Sequence, residues 1–521
     1  MAAAAAASSG PAEPPASVTI DGKEYPTLAD GEYDYIVLGT GLKECILAGM
    51  LAAARHKKVG PLPSEGGQVL VLDQSASYGG TCASPNLTDL FKRFNDGAEP
   101  PKGLFEALGR DRDYNVDLIP KFMMAEGALK DVLVKTRVHT SIQATAGFAG
   151  IGGCYVFSKT LGKGWFSAGA AGVEKLPATP SEAMSSPLLS MAQKLSLRSF
   201  LVFVNGCETP QRGPDGTDLT KTTSRQLYAK FFSSSDADLP QFVGHGMALF
   251  PSDEYLDRPA SNLVAAIQLY RDSIERVKTS PFIYPMYGLS TLPEAFSRLC
   301  AVQGGVFMLR TAVKGLLYED GKVAGVLAQP EFADEPQAAR ASVVVADANF
   351  LPAEKRGKSL GDVVRAICLT SAPPRGVKTS SAQIIVPQAQ VGRRNDIYMS
   401  MLGEKQMVCA KGKYVCIAST TAEGKGSLDA ELKPALDLLE GDSVIAKFDS
   451  TAPLYAPSKD APEDNVYSTG SYDATTHFES VMRDVAHLWN LMTGETLKDF
   501  SVPSPEEAAA AAAAAAESAD A

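Results

Sequence analysis

A glycine turn, Gly39-Thr40-Gly41, separates the apolar run Asp34 to Leu38 (DYIVL) from the apolar stretch Cys45 to Ala54. Strand, glycine turn and helix in this order let backbone N–H groups at a helix N-terminus hold a pyrophosphate. A second buried strand, Gly66 to Asp73 (GGQVLVLD), ends in an acid, where a dinucleotide fold engages a ribose. Arg55 to Gly67 lengthens the usual spacing to that acid. The fingerprint breaks at its third small position, which is Glu44. A carboxylate there takes the dipole stabilisation a phosphate would use. It would also repel one by roughly 1 kcal/mol at about 4 Å in water, and by more where partly buried. The motif alone leaves two outcomes open. Either the chain fills its own cofactor site, or Glu44 turns to solvent and a flavin binds.

Other residue types add no catalytic pattern. The histidines, His56, His139, His245, His477 and His487, show no metal-binding or triad-like spacing, and His477 is expected to make a structural hydrogen bond. The eight cysteines are scattered without a C-x-x-C pair, so no zinc or thioredoxin-like spacing exists and a reducing compartment is expected. Neither a cofactor nor a metal is expected.

The elements that must position these residues follow from composition and periodicity. At 521 residues, 45% hydrophobic and 21% charged, the chain can build a large core in two or three domains. A net charge of −11 argues against nucleic acid. Residues 1–30 read as an Ala/Pro-rich disordered tail without signal-peptide character, and residues 501–521 as an Ala-rich tail too weakly apolar to span a bilayer. Thr179-Pro180-Ser181-Glu182 is a helix start, with an N-cap, a first-position proline and an acid in the first turn. Leu263, Ile267, Tyr270, Ile274 and Val277 mark one face of a later helix. A helical domain is therefore expected over residues 178–277, inserted into an α/β body of residues 31–177 and 278–500. In that body Asp320-Gly321 turns a hairpin, and Ala341 to Ala346 is a buried strand.

Longer stretches carry a resemblance. EYDYIVLGTGLKECILAG (Glu32 to Gly49), Tyr78-Gly79-Gly80 and RDYNVDLIPKFMMAEGAL (Arg112 to Leu129) come first. SFLVFV (Ser199 to Val204), SPFIYPMYGLSTLPEAFSRL (Ser280 to Leu299), QIIVPQAQVGRRNDIY (Gln383 to Tyr398), GKYVCIASTT (Gly412 to Thr421) and SYDATTHFE (Ser471 to Glu479) follow. In this order they resemble the family of Rab GDP-dissociation inhibitors and Rab escort proteins. The resemblance implies an α/β, flavoprotein-like main domain (an FAD-binding-type βαβ unit with mixed sheets) and a smaller all-helical insertion. It implies a non-enzymatic protein of the cytoplasm, with transient peripheral membrane association. Its partners would be prenylated GDP-bound Rab GTPases, their geranylgeranyl lipid and, briefly, the membrane surface. Escort proteins, which present Rabs to the prenyl transferase, are the alternative; about 470 residues without the tails is nearer the inhibitor's size. A flavin oxidoreductase is the more distant alternative.

The resemblance also implies a Rab-binding platform of Tyr78, Arg298 and Met308, the last in a mobile loop. Thr291 stands where the family usually has a glutamate, and Glu294 where it has a glutamine, which keeps a negative charge nearby. The prenyl pocket is placed among Leu188, Leu189, Met191, Phe200, Leu201 and Phe203 of an apolar stretch in the helical domain. The extra segment Gly147 to Gly172 has no assigned role.

Overall fold

The computed structural model describes residues 16–54, 68–161, 170–233, 236, 238–424 and 426–502. The Ala-rich runs expected at both ends therefore lie largely outside the described residues. The N-terminal tail reading is corrected from Ser17 onward. Strands Ser17–Ile20 and Lys23–Leu38 pair antiparallel, with Val18 opposite Tyr25 and Ile20 opposite Lys23. Asp21 and Gly22 between them both have positive φ, 50° and 70°, the conformation of a tight hairpin turn. Alternation buries Val18 and Ile20, an apolar signal too short to stand out beside the Ala/Pro run.

Lys23–Leu38 is the spine of the larger, eight-stranded sheet. It runs parallel to Val69–Leu72, which runs parallel in turn to Val306–Met308. On its other side it is parallel to Gln337–Asp347. The connection from the first of these strands to the second is the helix Leu42–Ala53, buried along nearly its whole length. This is the βαβ unit expected from the glycine turn. The Asp320-Gly321 hairpin joins Thr311–Glu319 to Lys322–Pro330 at the far side of the sheet.

A second sheet has seven strands. Its edge is made by Gly153–Leu161 and Ala170–Lys175, so the unassigned segment Gly147 to Gly172 contributes sheet rather than only loops. From Pro180 to Val277 the described chain forms helices joined by turns and no strand. Thr179 caps the first of these helices by accepting from the Glu182 N–H. The long helix Ala260–Val277 buries Leu263, Ile267 and Tyr270 on one face. Phe200, Tyr228, Phe232, Val243 and Leu263 belong to the core of this insertion.

A buried histidine joins the insertion to the second sheet. His245 Nδ1 bonds Asp396 Oδ2 at 2.7 Å, next to the strand Ile397–Gly403, and its Nε2 bonds Asp253 Oδ1 at 3.0 Å. The other groups around the joint are the Tyr255 ring, the Tyr398 hydroxyl and the Gln388 N–H, with Arg225 acting on Asp253 from farther off. Burial alone would lower the imidazole pKa, but the two aspartates outweigh it and raise the value from 6.5 to about 9. The folded pKa lies above the unfolded one, so the joint is fully stabilising below pH 6.5. That stabilisation is lost as pH rises through about 9. Denaturant unfolding followed across this window should show stability falling by on the order of 1–3 kcal/mol, and His245→Gln should flatten the dependence. A variant with an unchanged pH slope would remove His245 from this role.

Candidate functional site

The glycine turn is closed by the chain's own polar groups. Glu44 is fully buried, and its Oε1 accepts from Thr469 Oγ1 at 2.6 Å. Its other oxygen lies directly over Gly41, where a Cβ would collide with it. Burial, then the charge of Asp347, raises the Glu44 pKa to about 7, against the pull of Lys43 and Thr469. Lys43 is equally buried and bonds Asp484 Oδ2 at 3.1 Å, with its ammonium 4.6 Å from the centre of the Tyr472 ring. The Tyr472 hydroxyl accepts from the Leu42 N–H at 3.1 Å. Asp73, the acid at the end of the second strand, accepts from Thr40 N at 2.8 Å, from Thr40 Oγ1 at 2.6 Å and from Ser75 N.

This donor set does not fit a flavin dinucleotide. The position of the pyrophosphate holds a carboxylate, and the ribose-binding acid is engaged by Thr40. The reading in which Glu44 turns to solvent is thereby corrected: the side chain is short enough to fold back over Gly41, and Thr469 meets it there. Thr469, Tyr472 and Asp484 lie more than 400 residues from the turn in sequence, which is why no local pattern marks them. His477 is buried, and its pKa falls to about 4, chiefly through burial and then the charge of Lys121, against a hydrogen bond to the Leu249 backbone.

The glycine turn also positions the residues that the resemblance assigns to a platform. The Gly79 N–H bonds Thr40 O at 3.0 Å, and Gly79 and Gly80 both take positive φ, so the Tyr-Gly-Gly turn lies across Gly41. Tyr78 is thereby held half-buried, its ring edge-on to Phe307 at 5.7 Å. Burial raises the Tyr78 pKa, with smaller contributions from Cys45 and Glu294. Thr291, Glu294 and Arg298 lie on the helix Thr291–Val302. This helix seats its apolar face, Leu292, Phe296 and Cys300, against the helix Leu42–Ala53. The two backbones meet at Gly49, where a Cβ would stand 3.2 Å from the Phe296 carbonyl. Cys45 Sγ lies 3.3 Å from Ser297 Oγ at the same contact.

The opposite face of this helix carries Glu294 and Arg298, both exposed and one turn apart. Arg298 makes no ion pair or hydrogen bond among the described residues. Thr291 is half-buried and donates its hydroxyl to Met286 O at 3.3 Å. Met308 requires a correction. It is not in a mobile loop but ends the strand Val306–Met308, paired with Leu72, and its carbonyl accepts from the Asp73 N–H. The paired glycines Gly304-Gly305 lie before the strand and masked it.

The apolar stretch divides differently from the expected pocket. Phe200 is fully buried, with ring contacts to Tyr228, Phe231 and Phe232 at 5.3–5.6 Å, and Phe203 and Leu201 pack into the same core. Leu188 and Leu189 are half-buried. Of the six, only Met191 faces solvent. The exposed apolar residues are instead Met191, Leu195 and Val202, at helical spacing along Met191–Asn205, with Met184 beside its start. Val202 was hidden by the uniformly apolar SFLVFV run.

Residues 29–502 match the family model of the GDP dissociation inhibitors. The chain belongs to that family. It is 39% identical over 466 residues to Rab GDP dissociation inhibitor beta of Rattus norvegicus, covering 89% of this chain and 95% of the relative. It is 38% identical over 479 residues to a Rab GDP-dissociation inhibitor of Pyricularia oryzae, covering 90% and 96%. A crystal structure of a Rab GDI from Plasmodium falciparum superposes with a TM-score of 0.78 at 36% identity, covering 90% of this chain and 99% of that one. An oxidoreductase from Methanosarcina mazei shares the fold, with a TM-score of 0.53 at 14% identity over 87% and 98% of the two chains. Membership of this regulatory family places the chain among proteins that are not enzymes. Among the described residues no helix is long and apolar enough to cross a membrane.

The closed turn makes a direct prediction. Freshly purified protein, intact or denatured, should release no flavin absorbing near about 450 nm. Stoichiometric flavin would overturn the occlusion by Glu44.

Proposed function

We propose that this chain binds GDP-bound Rab GTPases, slows their release of GDP and withdraws their prenylated form from membranes for recycling through the cytoplasm. The observation that carries this reading is the Glu294–Arg298 face. It is an exposed, charged surface, on which Arg298 is unpaired among the described residues and Glu294 is held by Ser290, on a helix fixed by close packing, with Tyr78 beside it, in a chain of this family. An arginine so presented can pair bidentately with a carboxylate of the GTPase. The same face would serve an escort protein, so the relatives separate the two readings. The relatives described above are inhibitors, and the chain spans 95% of the rat protein's length.

Selectivity follows from linkage. A ligand that binds GDP and GTP forms equally would shift nothing, so the platform must favour the GDP form. Membrane extraction needs a second site. A C20 prenyl chain at about 0.8 kcal/mol per buried CH₂ costs many kcal/mol to lift from the bilayer. The exposed stripe of Met184, Met191, Leu195 and Val202 is the surface we assign to that lipid, in place of Phe200 and Phe203. Adaptable methionines suit a flexible chain. Two sites on one body then reinforce each other through effective concentration. The membrane association that extraction requires is transient and peripheral.

Two variants separate the sites. Arg298→Ala should shift folding stability by no more than about 0.5 kcal/mol and weaken binding of Rab-GDP by about 1–3 kcal/mol. A variant that melts several degrees lower yet binds normally would make Arg298 structural. Val202→Asp places a charge on the apolar stripe at a side chain 63% exposed. It should abolish extraction of prenylated Rab-GDP from liposomes while sparing weak binding to the unprenylated form. Extraction at the wild-type level would remove the stripe from the lipid site.

A further inference from the structure

Two apolar side chains beside the platform are held outward by backbone in an unfavourable conformation. Tyr287 has φ 72° and is 44% exposed; Met407 has φ 59° and is 41% exposed. Neither is glycine, asparagine or aspartate, the residues that enter the left-handed region at low cost. Such a residue is strained and persists only where its surroundings fix it. Here they do. The Tyr287 N–H donates to Gln406 O at 3.1 Å, and Asn115 Nδ2 donates to Met407 O at 3.0 Å. The Asn115 N–H also donates to Val408 O at 3.2 Å. These bonds hold the two loops side by side with both side chains exposed.

The pair continues into the platform. Tyr287 is four residues before Thr291, at the N-terminus of the helix that carries Glu294 and Arg298. The Thr291 hydroxyl gives its proton to Met286 O, so toward a partner this side chain is uncharged and can only accept. The Ser290 N–H bonds Ser84 Oγ, tying this corner to the segment that follows the Tyr-Gly-Gly turn. One end of the platform is thus charged, at Glu294 and Arg298. The other is uncharged and apolar, at Thr291, Tyr287 and Met407.

We propose that Tyr287 and Met407 form an apolar anchor for the GDP-bound GTPase, next to the charged face, with Thr291 between them. The occupant is the same GTPase that the platform binds, so the inference rests on the proposed function. Its own content is the chemistry of the contact. The partner presents an apolar patch opposite Thr291 rather than a basic residue, and this corner therefore selects among GTPases. The left-handed backbone serves to aim the two side chains outward.

Asparagine tolerates the left-handed region, so Tyr287→Asn combined with Met407→Asn removes the apolar surface while relieving the backbone. The full-length double variant, wild type and Arg298→Ala are titrated with one unprenylated GDP-bound Rab and unfolded in denaturant. The double variant should unfold at the same or a higher denaturant concentration than wild type and bind on the order of tenfold more weakly. Its loss should change little between low and high salt, whereas the loss in Arg298→Ala should shrink at high salt. Wild-type binding by the double variant, with Arg298→Ala impaired, would overturn the anchor and leave the platform intact. Absence of binding by wild type itself would overturn the functional reading instead. If the double variant is destabilised, Met407→Gln keeps the size of the side chain and removes its apolar end; undiminished binding by that variant would also overturn the anchor.

Discussion

Two helices come close at Gly49, and the arrangement of the proposed binding face depends on that contact. A Cβ there would stand 3.2 Å from both the Phe296 carbonyl and a Leu299 methyl, a tight approach that the neighbouring helix could admit only by shifting a few tenths of an ångström. Since Thr291–Val302 carries Glu294 and Arg298 on its outer face, the contact sets the height and angle at which both are presented. Tyr78 is fixed to the same helix from its other end, through the turn laid across Gly41. The charged face and the tyrosine therefore share one rigid support, as recognition without new ordering cost requires.

A dinucleotide fold brings this support ready-made. Its first helix is buried against a parallel sheet, and its glycine turn leaves a concave space at the strand ends. In this chain the space is filled from within. Glu44, Lys43, Thr469, Tyr472 and Asp484 form a buried polar cluster that joins the last strand and helix of the body to its first turn. Charges removed from water this completely are tolerated only when they are paired and hydrogen-bonded. Lys43 pairs with Asp484 and Glu44 accepts from Thr469, while Glu44 Oε2 and Asp484 Oδ1 stay without a hydrogen bond among the described residues, and burial raises the Glu44 pKa to about 7, which lessens the charge held there. The concave space at the strand ends thus serves in this chain as a fastening.

How far the sequence discloses this depends on the range of each interaction. The βαβ unit, the Asp320-Gly321 hairpin and the capped start of the helical insertion are local, and each was legible from turn chemistry and periodicity. The strand Ser17–Ile20 was not, because four residues beside an Ala/Pro run carry too little alternation. Met308 looked like a loop residue because two glycines precede it, but pairing with Leu72 overrides that local signal. Phe200 and Phe203 could not be told from pocket residues. In a run as uniformly apolar as SFLVFV, only the partners Tyr228, Phe231 and Phe232 decide which face is the core. The partners of Glu44 were invisible for the same reason: they come from the opposite end of the chain.

The closed turn also makes the site hard to open. Admitting a dinucleotide would mean replacing Glu44, which would leave Thr469 without its acceptor and Lys43 with less compensating charge. It would also mean freeing Asp73 from Thr40, which would strand a buried hydroxyl and a backbone N–H. Each single step destabilises the protein before any ligand can repay the loss, so the surface can vary freely while the turn is locked by a ratchet of buried hydrogen bonds.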